Sequence, residues 1–338
     1  MIQTKWNLLR SLWADGLVIA GSTPMAVTPH CRLYVILARD GRSAAVFRRG
    51  PSRRVALLRW WLGSDRVEIG QWLKGRIYER RCDLSPDGEL LVYFAATHRG
   101  PYATWTAVSR PPYLTALALW PKGDAWGGGG LFQSAMRLGL NHRADQIRLA
   151  PDMRVPSRFK VAPYASYAGC GEDDPIQHDR MVRDGWRLID RGEASPYRRS
   201  GPFRWVLETP EIYERVQPAP AERAARRPRK APFILRRRLL AIGVTGGAWY
   251  REAFTVLDGD GRTLREFPDC DWADWQSTGD LLLAANGALH RIGAAALGVV
   301  ADEPFQGAAC VADLAALTFT AREAPPDAKK WTSARRRG

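Results

Sequence analysis

Short apolar runs of about five to nine residues, each cut off by glycine, proline, aspartate or serine, recur along most of this 338-residue chain. "RLYVILARDGRSAAVFRRG", "RVALLRWWLGSDRVEIGQWL" and "AFTVLDGDGRTLREF" show the pattern. Runs of that length suit strands and are too short for ordinary helices. The 3.6-residue periodicity of an amphipathic helix is scarce. Leu8, Leu9, Leu12 and Trp13 could form one turn near the start, and "GAAALGVVADE" reads as a short helix or as a strand and loop. Asp258-Gly259-Asp260-Gly261 between two β-rich runs is a strong hairpin signal, and Asp40-Gly41 divides another pair. Many short strands with regular turns predict an all-β protein: a sandwich, a barrel or a propeller.

A repeat search separates these. Leu84–Val92, "LSPDGELLV", joins a tight-turn signature to a strand. Val27–Val35, "VTPHCRLYV", aligns with it through Thr28-Pro29 and Leu33, and Trp275–Ala284, "WQSTGDLLLA", through Gly279 and Leu281. A weaker fourth copy, "MVRDGWRLID", surrounds Gly185. The anchors at 31, 88, 185 and 279 are 57, 97 and 94 residues apart. The two longer gaps each hold two units of the roughly 40 to 50 residues that make a four-stranded propeller blade.

An apolar residue, Ser-Pro-Asp-Gly, a charged residue and an apolar strand resemble the blade motif of TolB-type and WD-repeat-like β-propellers. The resemblance implies a single β-propeller of about six four-stranded blades, with five or seven as alternatives, over residues 15–322. A β-sandwich with a second small domain is the competing fold. Residues 1–14 form a separate N-terminal segment, and the basic tail 323–338 is expected to be disordered. Two stretches break the rhythm: 138–180, a long insertion or irregular blade, and the proline-, alanine- and arginine-rich 217–233, a loop between blades.

Composition narrows the class further. Lys+Arg of 50 against Asp+Glu of 35 gives a net charge of +15, and only seven of those cations are lysine. Such a surplus attracts polyanions and acidic partners. The arginine excess is also what a GC-rich coding bias would produce, so its cause stays open. The first residues interleave Lys5, Asn7, Arg10 and Asp15 with apolar ones, unlike a secretory leader, and no apolar run reaches a membrane span. Five scattered cysteines (Cys31, Cys82, Cys170, Cys270 and Cys310) contain no CxxC and read as buried thiols in strands. A cytoplasmic protein, monomeric as an isolated chain, is expected.

Four constellations are candidates for function. Arg223, Arg226, Arg227, Arg229 and Lys230, followed by Arg236, Arg237 and Arg238, form a cluster dense enough to neutralise several phosphates or dock on an acidic partner. Arg48, Arg49, Arg53 and Arg54 around Gly50-Pro51 form a smaller group, read as a solvated hairpin loop. Trp126 beside Gly127, Gly128, Gly129 and Gly130 offers either a flat contact surface or a crowded structural junction. Cys170, Glu172, Asp173, Asp174, His178 and Asp179 include metal-ligand types, but their order fits no zinc or calcium spacing. No metal or cofactor is expected.

GxSxG, HExxH, Walker and strand-to-helix GxGxxG motifs are all lacking, and the five histidines sit in no nucleophile arrangement. No catalytic residue is therefore assigned. The expected function is a non-catalytic scaffold that binds another macromolecule, a protein first, in a bacterial-type cytoplasmic complex. One alternative is a polyanion- or nucleic-acid-binding module using the arginine-rich loop. Another is a hydrolase or lyase with its site at the mouth of a propeller channel.

Overall fold

The computed structural model describes residues 31–50, 53–194, 203–219, 232–244, 249–268, 270–298, 301 and 303–331. Within them the chain is all-β, with five largely antiparallel sheets in chain order. Sheet I holds β1 (Arg32–Leu37), β2 (Ser43–Arg49), β3 (Arg54–Trp61) and β4 (Arg66–Lys74). Sheet II holds β5 (Arg76–Ile77), β6 (Asp83–Leu84), β7 (Leu91–Ala96), β8 (Thr104–Ser109) and β9 (Ala118–Pro121). Sheet III holds β10 (Gly130–Ser134), β11 (Arg137–Leu140) and β12 (Lys160–Pro163), with β12 parallel to β11. Helix α1 (Ile176–Arg183) follows. Sheet IV holds β13 (Arg187–Asp190), β14 (Glu193–Ala194), β15 (Phe203–Val216), β16 (Ile234–Val244), β17 (Tyr250–Leu257) and β18 (Thr263–Phe267). Sheet V holds β19 (Cys270–Trp275), β20 (Leu281–Ala285), β21 (Ala288–Ile292) and β22 (Ala308–Asp313). The expected count was about six four-stranded units; the described residues give five sheets of four, five, three, six and four strands.

The period-2 geometry of a strand explains why the apolar runs are continuous. Central strands are covered on both faces, so alternate side chains enter two different cores. In β2, Ala44 and Val46 pack toward sheet V while Ala45 and Phe47 pack toward sheet II. In β7, Leu91, Tyr93 and Ala95 face sheet I and Val92 faces sheet III. In β20, Leu281 and Leu283 meet sheet IV, whereas Leu282 and Ala284 meet sheet I. Apolar layers thus join the sheets in the order IV, V, I, II, III. Burying each large side chain, such as Trp60, Trp275 or Phe94, contributes about 1.5–3 kcal/mol.

Sheet III reaches sheet IV through α1, which places Met181 in the core shared with sheets IV and V and adds polar cross-links. Pro175 precedes its first residue, where a fixed φ and a missing N–H cost little. Arg183 grips Asp83 with two bonds, Nη1–Oδ2 at 2.6 Å and Nη2–Oδ1 at 2.9 Å. Asp83 Oδ2 also accepts the Phe132 amide of β10 at 2.7 Å. The expected insertion 138–180 is therefore occupied by sheet III and the start of α1.

The repeat maps onto the sheets in part. Ser85–Gly88 joins β6 to β7, and Gln276–Gly279 joins β19 to β20, so these two copies are equivalent first-to-second-strand turns. Each closes with the glycine amide on the carbonyl three residues back, Gly88 N–Ser85 O and Gly279 N–Gln276 O, both 2.9 Å. In sheet I this turn is Asp40-Gly41, closed by Gly41 N–Ala38 O at 3.0 Å. Of the copy at Val27–Val35, residues 27–30 lie outside the described residues, and the rest runs into β1, which among the described residues is at the edge of sheet I. The Gly185 copy lies between α1 and β13 and is no hairpin.

The chain remains packed to Trp331, although a disordered tail was expected from 323. Trp331 Nε1 donates to Leu117 O at 3.2 Å and Arg154 O at 3.1 Å, and its ring lies 4.7 Å from that of Phe159. A tryptophan with an apolar groove and two free carbonyls can anchor even a proline-rich segment. Among the described residues no helix is long and apolar enough to cross a membrane.

Candidate functional site

Helix α1 and strands of sheets I, IV and V line a cavity of about 410 Å³, and strands of sheets I, II, IV and V line a second of about 320 Å³. Tyr34 of β1 and Glu252 of β17 line both. Between the cavities lies a layer of buried ion pairs. Glu252 sits between Arg80 (Nη2–Oε1 2.9 Å) and Arg237 (Nε–Oε1 2.6 Å). Arg80 also donates to Gln177 of α1 at 2.7 Å and stacks 3.4 Å from the Tyr250 ring. Arg81 holds Asp173 at 2.8 Å, and the Tyr250 hydroxyl donates to the same carboxylate. Arg180 donates to the Tyr34 hydroxyl and to the Cys82 carbonyl.

Burial opposes ionisation of Glu252, but Arg237 and Arg80 outweigh it and hold the carboxyl below the usual range. Asp173 is held low in the same way, by Arg81, the Tyr250 hydrogen bond and Arg80 against burial. These carboxylates act as ion-pair partners. Asp271, at the smaller cavity, differs. Burial dominates there, opposed by the Leu33 amide and Arg32 and reinforced by Glu252 and Glu79, and its pKa is pushed up to about 7.

Arg32, Arg49 and Arg76 line the smaller cavity. Arg32 and Arg49 stand directly opposite each other on β1 and β2, and Arg76 approaches from β5 of the neighbouring sheet. Sequence reasoning missed Arg32, Arg76, Glu252 and Asp271 and placed Arg49 in a solvated loop. One signal was present: Arg32 and Arg49 are equidistant from the Asp40-Gly41 turn, so any regular hairpin there pairs them.

Of the expected partner-binding cluster, Arg223, Arg226, Arg227, Arg229 and Lys230 lie outside the described residues. Arg237 is buried in the central ion-pair layer, also reaching Glu211 at 3.2 Å, and is not available at the surface. It points to the cores because β16 alternates. Arg236 and Arg238 are partly exposed and paired, to Glu214 at 2.6 Å and Glu266 at 3.7 Å.

The glycine run is a structural junction between sheets II and III. Gly128 and Gly129 have φ of +86° and +76°, and a Cβ on either would fall 2.4 Å from the Phe94 ring or 2.0 Å from the Arg81 carbonyl. Trp126 beside them is 55% exposed. The neighbouring loop carries Tyr167, 54% exposed. The two loops are fastened together: Gly127 N donates to Gly171 O at 2.7 Å, and Asn141 links them through Gly128 N (2.8 Å) and Gly169 N (2.7 Å).

Cys31, Cys82 and Cys270 are buried, whereas Cys170 and Cys310 are exposed. The surroundings of Asp173 and His178 serve packing, with His178 Nδ1 2.7 Å from the Tyr213 hydroxyl. No group of three or more His, Cys, Asp or Glu among the described residues is placed to hold a metal ion. No protein-family model and no curated protein matches this chain.

Proposed function

We propose that the five sheets are the blades of one β-propeller, similar to the TolB-type and WD-repeat-like families, and that the protein is a non-catalytic interaction module of the cytoplasm. Three observations support the propeller: the successive apolar layers, the α1 link between sheets III and IV, and the identical first turns of sheets I, II and V. The observation that carries the function is Trp126 and Tyr167, two exposed aromatic side chains on loops held rigid by Asn141 and paired backbone. Rigid, exposed aromatics are what protein-binding hot spots are made of, because little entropy is lost when they are covered. The +15 charge selects an acidic protein as partner.

A second reading, polyanion binding by the arginines of 220–231, rests on the base of that loop. Gln217 N pairs with Phe233 O at 2.8 Å, and Gln217 Nε2 donates to Gly279 O at 2.7 Å, so the described residues that flank 220–231 meet beside the first turn of sheet V. One experiment separates the two: capture from native-cell extract with and without nuclease, using the wild type, a Trp126→Ala/Tyr167→Ala variant and an Arg226→Gln/Arg227→Gln/Arg229→Gln variant. Loss of a nuclease-resistant protein partner only in the aromatic variant is expected. Equal capture by the wild type and the aromatic variant overturns this reading, and nuclease-sensitive, salt-steep capture lost in the glutamine variant replaces it with the second.

A further inference from the structure

Most of the protein's buried arginines find oxygen partners, although the Nε atoms of Arg59, Arg238 and Arg265 are buried without an acceptor of their own. Arg48 donates to three carbonyls, Arg265 to three more, and Arg291 to Asp65, Asp280 and Leu62 O. Around the larger cavity Arg39, Arg180, Arg183, Arg215 and Arg237 each have a close oxygen partner. The smaller cavity breaks this rule. Among the described residues the Arg32 and Arg76 guanidiniums make no hydrogen bond or ion pair, and Arg76 Nε is buried without an acceptor. Among the described residues Arg49 pairs with Glu79 alone, at 3.9 Å.

Three guanidiniums from two sheets thus line one cavity; of the carboxylates there, Glu252 and Asp173 are taken up by Arg80, Arg237 and Arg81, which leaves Glu79 and Asp271 to face the three. Like charges directly opposite across a strand pair are destabilising, and Arg32–Arg49 is such a pair. Burial first, then the Arg49 charge, push the Arg32 guanidinium below the ordinary arginine value, with Asp271 opposing. Asp271 already gives one oxygen to the Leu33 amide at 3.1 Å. Tyr78, whose ring lies 4.3 Å from the Arg76 guanidinium, and Trp249 supply aromatic walls. At about 320 Å³ the space fits a small molecule, not a macromolecule.

We propose that this cavity binds a small phosphate-bearing ligand, with Arg32, Arg49 and Arg76 as the anion-holding residues. A phosphate dianion accepts several guanidinium forks at once and turns their mutual repulsion into attraction. The site is separate from the Trp126 and Tyr167 loops and does not depend on their role.

The test uses the full chain at matched ionic strength in chloride, with inorganic phosphate and phenyl phosphate as probes, followed by calorimetric titration and thermal melting. Saturable binding of both probes is expected. Tighter binding of phenyl phosphate identifies an organic phosphate as the ligand class, and equal binding identifies the free anion. Arg32→Gln and Arg76→Gln should each weaken phosphate at least tenfold, whereas Arg42→Gln, an exposed side chain, should leave it unchanged. Without phosphate, Arg32→Gln should melt at or above the wild-type temperature, because it relieves repulsion. An arginine with a merely structural role would lower it. Absence of saturable phosphate binding, phosphate affinity unchanged in both glutamine variants, or a lowered melting temperature of unliganded Arg32→Gln overturns the proposal.

Discussion

Asp271 shows how one side chain can tie stability to pH. Its carboxyl keeps a proton up to a pH of about 7, while in the unfolded chain it releases it near the ordinary value of 3.8. Between those limits the folded state binds more protons, so this group subtracts stability as pH rises. Its contribution is nil below about pH 4 and fully unfavourable above about pH 7. Asp271→Asn keeps an oxygen for the Leu33 amide and removes the charge. The variant should melt several degrees above the wild type at pH 8 and level with it near pH 4; a constant difference across that range would refute the assignment. The same residue marks the limit of what the sequence could reveal. Nothing local separates Asp271 from the solvent-facing Asp258, because burial and the nearness of Arg32, Glu252 and Glu79 come from other sheets. The hairpins, by contrast, are written in neighbouring residues, and Asp40-Gly41, Ser85–Gly88 and Asp258–Gly261 all form where their turn chemistry lies. The roles of Asp173 and His178 were hidden for a related reason. Asp173 and His178 look like ligands side by side in sequence, yet each is bound to an arginine or tyrosine distant along the chain.

At the scale of the element, the first turns of the sheets do more than reverse the chain. Gly88 has φ of +68°, and a Cβ there would lie 2.4 Å from Ser43 Oγ and 3.1 Å from Ala38 Cβ of the next sheet. Asp40 N donates to Pro86 O at 2.9 Å, so the turns of sheets I and II are bonded to each other. The glycine is thus required twice, for its backbone conformation and for the approach of its neighbour. Gly100 has a similar φ of +77° with open space around it and serves as a control. Gly88→Ala should cost about 2–3 kcal/mol in denaturant unfolding and Gly100→Ala about 1 kcal/mol. Equal costs would mean that the inter-sheet contact contributes nothing. Helix α1 was illegible at this scale. Ile176–Arg183 buries Ile176 and Met181, but the same face carries Gln177 and Arg180, whose partners Arg80, Tyr34 and the Glu79 and Cys82 carbonyls come from other elements. Helices specified by such tertiary polar contacts leave no periodic signal.

For the whole molecule, the segment after β22 fastens sheets that are far apart in sequence. It leaves sheet V, and Arg48 of sheet I bonds to Leu314 O at 3.1 Å and Ala315 O at 2.8 Å. Phe319 then packs edge-on to Trp72 at 6.0 Å with Arg54 stacked over it at 4.0 Å. Gln71 holds Arg322 O at 3.1 Å, and Arg110 of sheet II holds Lys330 O at 3.2 Å. Trp331 ends the run between sheet II and the Arg154–Phe159 stretch. Ending the chain at Thr318 leaves the Arg48 acceptors in place but removes the Phe319, Arg322 and Trp331 contacts. Losing the half-exposed Phe319 ring, the partly buried Trp331 ring and several hydrogen bonds amounts to about 3 kcal/mol, or a melting temperature lower by roughly 5 °C in a protein of this size. The loss should be spread unevenly. Amide exchange should quicken in β4 and β9, which the segment covers, and stay slow in β20, which is sealed by sheets I and IV. If β20 loosens equally, the sheets unfold as one unit and the segment acts on all of them together. If neither strand responds and the melting temperature holds, the contacts from Phe319 to Trp331 are not formed in solution.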